Sequence, residues 1–320
     1  MKVVIGRNLM QVERAIPDLC LKFPNVEFVH SSDHDELLDL IGDADVFVGS
    51  MNRELFAAAN RLKWVQQTST GADHYLAIPE LAGSDVLLTS ARGTHAVCVA
   101  ESALAMILSL ARGIRDAVLW QERRQWGGRE IRPKLVELTG STLGIVGFGS
   151  IARALAKMAH GHDMRIIATD LYPGAKPDYV EVVWGMDRLD ELMRQSDYVV
   201  VTVPGTRETM GMIGAKQIAL MKPTAMLVGI SRGGVIDQSA MAQALREKRL
   251  AAAALDVMVP EPLPPESELW GLDNLLIAPH IAGGTQFEHQ HVVAILEDNL
   301  ERFLRGELPL RNQIDKVQGF

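Results

Sequence analysis

Cysteine is nearly absent from this 320-residue chain, in which Cys20 and Cys98 are the only two. A lone, widely spaced pair offers neither a disulfide framework nor a metal-ligand spacing. A cystine-stapled secreted scaffold is set aside, and no metal is expected. No apolar stretch is long enough to cross a bilayer, and the opening MKVVIGRNLMQVER meets charge too early for a secretory leader. No membrane partner is expected, and the expected location is cytoplasmic. Basic residues are in deficit, with 32 Lys and Arg against 40 Asp and Glu, a net charge of −8. With no basic block or aromatic-interleaved stripe to track phosphates, nucleic acid is not an expected partner either. Internal repeats and low-complexity tracts are also missing.

What is present is a chain long enough for about two domains, with 48% hydrophobic residues to fill their cores. Short apolar runs alternate with helical patterns, the signature of an α/β fold. In the first third, VVIG (3–6), VEFVHS (26–31), DVFVGS (45–50), KWVQQTS (63–69) and VLLTSA (86–91) read as strands. Leu9, Val12, Ile16 and Leu19 recur at helical spacing, so that face is expected to pack on a sheet. ESALAMILSLAR (101–112) is apolar on nearly every face, as for a helix buried on all sides at a domain or subunit contact. A second set of runs follows: LGIVG (143–147), RIIATD (165–170), YVVVTVP (198–204), AMLVGIS (225–231), AAALDV (252–257) and NLLIAPH (274–280). They are continuously apolar, as parallel strands covered on both faces are. The closing stretch 291–306 carries Val292, Leu296, Leu300 and Phe303 on one stripe, which suits a return to the first domain.

The stretch LGIVGFGSIARALAKM (143–158) reads as strand, glycine turn and helix. Gly147 permits the tight exit, Gly149 lets the backbone approach a pyrophosphate, and Ala152 is small where helix meets sheet. The helix N-terminus, from Phe148, Ser150 and Ile151 onward, then faces the phosphates. Asp170 ends the next strand, 23 residues after Gly147, and is placed to accept ribose hydroxyls; Leu171, Tyr172 and Pro173 supply no arginine for a 2′-phosphate. NAD is the expected cofactor. That the turn begins so late predicts a dinucleotide domain set inside another domain, with a cleft between them. Ligands of open α/β sheets bind beyond the carboxyl ends of the strands. There stand Val203-Pro204, Ile230-Ser231 with Arg232, Asp256 followed by Glu261, and Pro279-His280. Guanidinium, carboxylate and imidazole together suit reduction of a keto acid: the arginine clamps a carboxylate, the histidine transfers the proton, and the glutamate supports the imidazolium.

These residues resemble the D-isomer-specific 2-hydroxyacid dehydrogenases over nearly the whole chain. LTGSTLGIVGFGSIAR (138–153) is similar to the family's cofactor turn, SRGGVID (231–237) to its arginine segment, ALDVMVPEPLP (254–264) to its glutamate segment and APHIAGGT (278–285) to its histidine segment. The resemblance implies two doubly wound α/β domains, a Rossmann dinucleotide-binding domain (102–288) inserted into a flavodoxin-like substrate domain (1–101 with 289–320). It also implies that Arg232 binds and polarises the substrate, Glu261 pairs with His280, and His280 is the acid/base. Asp256 would meet the nicotinamide carboxamide. Backbone N–H groups near Thr70 and Gly71, in STGAD (69–73), would hold the substrate carboxylate, and protomers would pair as a homodimer through the 101–112 helix. The implied substrate is a small 2-oxo or 2-hydroxy acid of the glyoxylate or hydroxypyruvate type. Gly71, Gly233 and Gly234 are expected to let backbone approach that ligand closely.

The pattern is departed from at three positions: Asp163 stands where a glycine commonly ends the cofactor helix, Gly229 for a frequent asparagine, and Ser102 for a frequent histidine. His289 and His291 lie two apart and so point away from each other on a helix, which suits solvated residues. His160 and His162 sit near a helix end as structural residues, and Cys98 reads as an inert thiol. Trp126 and Trp270 read as packing anchors. His74 and His95 border the expected cleft, with no motif to decode them; Arg53, past the end of a strand, reaches either the substrate or, more commonly for such an arginine, solvent. Two other readings stay open: an NAD-sensing corepressor-like module, which shares the trio, and a formate dehydrogenase, against which Glu261 stands because a glutamine is common there.

Overall fold

The computed structural model describes residues 1–71 and 73–317, and of Asp73 the backbone alone. Ala72 of the STGAD segment and the last three residues of the expected first domain lie outside the described residues. The chain forms two compact units, Met1–His95 with Thr285–Phe320, and Ala96–Gly284. An expected boundary at 101 would cut the helix Ala96–Ala111. That helix instead belongs whole to the second unit, because Val99, Ala103, Met106 and Ile107 are buried in its core with Leu155 and Ala159.

The first unit is a five-stranded parallel sheet. Its strands are β1 (Lys2–Ile5), β2 (Glu27–His30), β3 (Val46–Val48), β4 (Trp64–Gln66) and β5 (Leu87–Thr89), in the order β2-β1-β3-β4-β5. This is the flavodoxin-like order. One face is covered partly by the helix Glu288–Arg305, whose Val292, Leu296 and Leu300 are fully buried against Val3, Ile5 and Trp64. The stripe read from the sequence is therefore the stripe that packs. Buried polar groups tie that helix to β4. Trp64 donates to Thr89 Oγ1 at 2.7 Å, Thr89 to Gln66 Oε1 at 2.8 Å, and Asn299 to the same oxygen at 3.0 Å. The earlier helical segment starts later than its periodicity suggests. Leu9 is 89% exposed, whereas Val12 and Leu19 are buried; regular helix begins only at Ile16, with Pro17 in its first turn.

The second unit is a seven-stranded parallel sheet, one strand more than the sequence reading. Its strands are β6 (Thr142–Val146), β7 (Arg165–Asp170), β8 (Val182–Gly185), β9 (Tyr198–Val201), β10 (Met226–Gly229), β11 (Ala252–Leu255) and β12 (Leu275–Ile277), in the order β12-β11-β10-β9-β6-β7-β8. Read from β8, this is the Rossmann order, and the chain reverses its direction of winding between β6 and β9. The unforeseen β8 is an edge strand of half-buried residues, too short and too mixed to give a buried-strand signal. The helix Ser150–His160 leaves the glycine turn with Ala152, Leu155 and Ala159 buried, and Ile151 and Met158 packed beside them. No single helix among the described residues is long and apolar enough to cross a membrane.

Asp163, the departure at the end of that helix, has φ +54°. Its N–H donates to His160 O and its carbonyl accepts from Gly140 N–H, so the left-handed turn joins the helix end to the start of the next strand. A side chain is strained there and glycine is not, although aspartate tolerates the region better than most. Asp163→Gly is expected to stabilise the protein by about 0.5 kcal/mol after the entropy of the unfolded glycine is counted, with no change in activity. Urea denaturation of the two proteins side by side measures it.

Candidate active site

The turn after β6 has the shape its sequence requires. Gly147 has φ +89°, and a Cβ there would sit 2.9 Å from Val203 Cγ1. At Gly149 a Cβ would meet no atom within 4 Å, so that face is open, beside the first-turn N–H groups of the helix Ser150–His160. An open glycine face next to a helix N-terminus fits a pyrophosphate. Phe148 N–H donates to Asp170 Oδ2 at 2.6 Å and Tyr172 N–H to Oδ1 at 2.9 Å, which fixes the carboxylate at the end of β7. Beside it, the Arg153 guanidinium lies 4.8 Å from the Phe148 ring and donates to Ala175 O.

The remaining expected residues follow the carboxyl ends of β9 to β12. Val203 and Pro204 follow β9, and Ile230 and Ser231 follow β10. Arg232 donates through Nη1 to Ser231 O at 2.8 Å, and its stem lies against Gly205. The glycines after it have a packing reason of their own, apart from the expected approach to a ligand. A Cβ on Gly233 would lie 2.1 Å from Met258 O and one on Gly234 2.3 Å from Met210 Cε, so both permit close packing of protein on protein. At Gly229 a Cβ would press on Ile236 and Leu255, which leaves no room for an asparagine.

His280 is the most constrained residue of the set. It has φ +55°, a left-handed conformation that a non-glycine residue holds only when its surroundings impose it. Asp256 imposes it. Its carbonyl accepts from His280 N–H at 2.9 Å, and its carboxylate accepts from Ile281 N–H at 2.8 Å and Ala282 N–H at 3.0 Å. At 1% exposure this aspartate has both oxygens committed to the loop, which makes it the loop's clamp; a nicotinamide contact, the expected role, would have to share those oxygens. Behind the loop, Cys98 and Ser102 of the helix Ala96–Ala111 donate to Gly283 O and Ala282 O. The imidazole so placed meets Glu261 Oε2 through Nδ1 at 2.7 Å, and Met258 N–H donates to Glu261 Oε1 at 2.8 Å. Burial alone would raise the Glu261 carboxyl. The bonds from His280 and the Met258 N–H outweigh it and, with Arg232 nearby, hold the group below the usual glutamate range. A carboxylate so held keeps Nδ1 as the donor and leaves Nε2 outside that bond.

In the first unit, Gln67 is fully buried after β4, and its Nε2 donates to Ser69 O at 2.9 Å and Gly71 O at 2.8 Å. Ala91 N–H also donates to Ser69 O. The loop's carbonyls are thus turned inward, and among the described residues the N–H groups of Thr70 and Gly71 donate no hydrogen bond. Two adjacent unpaired donors suit a carboxylate.

The family model for the D-isomer specific 2-hydroxyacid dehydrogenase NAD binding domain matches residues 104–282. The chain belongs to this family. Over 316 residues it is 35% identical to a glyoxylate reductase of Thermococcus onnurineus, covering 93% of both chains. Among solved structures, a D-isomer specific 2-hydroxyacid dehydrogenase family protein from Aeromonas salmonicida aligns over 98% of each chain with TM-score 0.86 and 29% identity. An NADPH-dependent glyoxylate/hydroxypyruvate reductase from Sinorhizobium meliloti, solved with NADP and sulfate, aligns over 100% of each with TM-score 0.85 and 25% identity.

Of the other side chains of this dehydrogenase, Arg53 and His160 take the solvated and structural places open to them in the sequence, and the rest differ. Arg53 is an exposed partner of Glu80. His289 and His291 are not merely solvated, since each donates through Nδ1 to a carbonyl, of Met10 and Thr94. His160 stacks on Tyr179 at 4.8 Å. Trp126 is 98% exposed and so is not a packing anchor, and Trp270 is half exposed with its indole N–H on Pro264 O. The Gln67 clamp went unforeseen, although its signal is present: two consecutive amides end an apolar parallel strand, and buried amides must find partners.

Replacing Glu261 by Gln exchanges the charged acceptor of the His280 Nδ1–H bond for a neutral amide oxygen. In Glu261→Gln, kcat for a 2-oxo acid is expected to fall by about tenfold, the difference between a charge-assisted and a neutral hydrogen bond, with the KM for NADH unchanged, as read from initial rates.

Proposed function

We propose that this dehydrogenase reduces a small 2-oxo monocarboxylic acid of the glyoxylate or hydroxypyruvate kind to the D-2-hydroxy acid with NADH. The observation that carries the reading is the 2.7 Å His280–Glu261 pair, held by Asp256 at the same sheet edge as Arg232 and the glycine turn. The nicotinamide, when bound, supplies a hydride to the carbonyl carbon. The chain's own residues do the rest. Gly147, Phe148, Gly149, Ser150 and Ile151 receive the pyrophosphate, and Val203, Pro204, Ile230, Ser231 and the Asp256–His280 strand ends border the nucleotide. Thr70 and Gly71 N–H groups and Arg232 hold the substrate carboxylate. His280 Nε2–H gives its proton to the carbonyl oxygen, and Glu261 stabilises the imidazolium before that transfer. The sensor and formate readings lack an observation that favours them.

Preference for NADH rests on Asp170. With both oxygens fixed by main-chain donors, the carboxylate can receive ribose hydroxyls and repels a 2′-phosphate. Two such charges about 4 Å apart, partly screened, repel by roughly 1–4 kcal/mol, worth from about fivefold to several hundredfold in kcat/KM. The reductase from Sinorhizobium is NADPH-dependent, so relatives of one fold differ on this point. The enzyme is further proposed to act in the cytoplasm as a homodimer. A groove of about 370 Å³ in the second unit, lined by Ile114, Val118 and Trp270 among others, supports pairing. So does the exposed Trp126 nearby in sequence, since apolar surface of this kind marks protein contacts.

One panel tests the proposal: wild type and Arg232→Ala, with glyoxylate, hydroxypyruvate and glycolaldehyde, each with NADH and NADPH. Wild type is expected to prefer the keto acids and NADH. Arg232→Ala should lose about a hundredfold or more on the keto acids and far less on the neutral aldehyde. Equal losses on both, equal use of the two cofactors, or L-glycerate from hydroxypyruvate would each contradict the corresponding part.

A further inference from the structure

Thr70 has a side chain that the proposed function does not use. Its Oγ1 lies 3.0 Å from His95 Nδ1, in the loop whose N–H groups are assigned to the substrate carboxylate. Thr94 Oγ1 lies 3.3 Å from the same nitrogen, while its own proton is committed to Ala91 O at 2.8 Å. Thr94 therefore meets Nδ1 as an acceptor, which requires the hydrogen of His95 to be on Nδ1. Thr70 Oγ1, at the shorter distance, accepts that same hydrogen. The hydroxyl proton of Thr70 is then left to donate, and among the described residues it has no other acceptor.

We infer that the Thr70 hydroxyl is a third donor to the substrate carboxylate, beside the N–H groups of Thr70 and Gly71, and that His95 is the positioning residue that orients it. The inference rests on the carboxylate reading of this loop and deepens it. The arrangement around His95 supports it. Burial holds the imidazole below its ordinary value; Glu288, 3.8 Å from Nε2, pulls it up in part, and His291 pushes it down. Its surroundings thus favour the neutral ring, with a single N–H to place. Gln67 fixes the loop from the other side. Its amide has one workable orientation, because an oxygen in place of Nε2 would face two carbonyl oxygens. The side chain at position 70 is therefore held by one contact and the loop's backbone by another, so changing the first leaves the second in place.

The test measures KM for glyoxylate, KM for NADH and kcat/KM for glycolaldehyde in Thr70→Val, Thr70→Ser, His95→Leu, His95→Asn and the Thr70→Val/His95→Leu double variant. Thr70→Val is expected to raise the glyoxylate KM about tenfold, the size of one charge-assisted hydrogen bond. Its KM for NADH and its use of glycolaldehyde should change by less than about twofold. Thr70→Ser recovers most of the loss. His95→Leu reproduces it, His95→Asn recovers it in part through an amide placed near Nδ1, and the double variant is no worse than the poorer single. An unchanged glyoxylate KM in Thr70→Val, or an equal loss on glycolaldehyde, overturns the donor role. Additive losses in the double variant overturn the positioning role. A wild type that uses glycolaldehyde as well as glyoxylate overturns the carboxylate reading itself, before any variant is considered.

Discussion

One buried carboxylate sets the geometry on which the proposed chemistry depends. Asp256, 1% exposed at the end of β11, accepts the main-chain N–H groups of Ile281 and Ala282 with its carboxylate and that of His280 with its carbonyl. A buried charge is costly unless hydrogen bonds satisfy it. Here the loop after β12 satisfies it only by turning back on itself, and the turn forces His280 into the left-handed region. The strain is local, two of the three bonds that impose it are charge-assisted, and the outcome is an imidazole delivered to Glu261. The geometry of the His280–Glu261 pair is thus stored in main-chain bonds of the scaffold and does not depend on the packing of the ring, which stays half exposed.

The same logic of fixing a group by satisfying its neighbours recurs in both units. Asp170 is oriented by the N–H groups of Phe148 and Tyr172, so its charge has a fixed direction. Gln67 draws two carbonyls inward and leaves two N–H groups over. In each case a polar side chain at the carboxyl end of a parallel strand consumes part of a loop's hydrogen-bonding capacity, and the remainder is available to a ligand. Parallel sheets favour this device because their strand ends gather at one edge while both faces are sealed.

The sequence made much of this legible. Eleven strands could be read because parallel strands are continuous apolar runs, and the glycine turn, Arg232, Glu261 and His280 could be read because each belongs to a motif. What escaped depends on contacts across the sheet. β8 is an edge strand with a weak apolar signal. Leu9 fits a helical period but precedes the helix. That Gly233 and Gly234 are also required for packing against Met258 and Met210 could not be read from the turn itself. The clamp of Asp256 on a loop 25 residues away, and of Gln67 on the loop beside it, is a matter of hydrogen-bond direction, which no residue pattern records.

The central claim is that His280 moves the proton while the glycine turn holds the cofactor independently of it. The most direct measurement is a parallel one on His280→Ala: the NADH dissociation constant from fluorescence titration, and the rate of glyoxylate reduction at saturating NADH. The account predicts an NADH affinity within about twofold of wild type and a rate lower by about 10²- to 10⁴-fold, the span typical of a lost proton donor. A rate close to wild type, or a loss of NADH binding that matches the loss of rate, would contradict it.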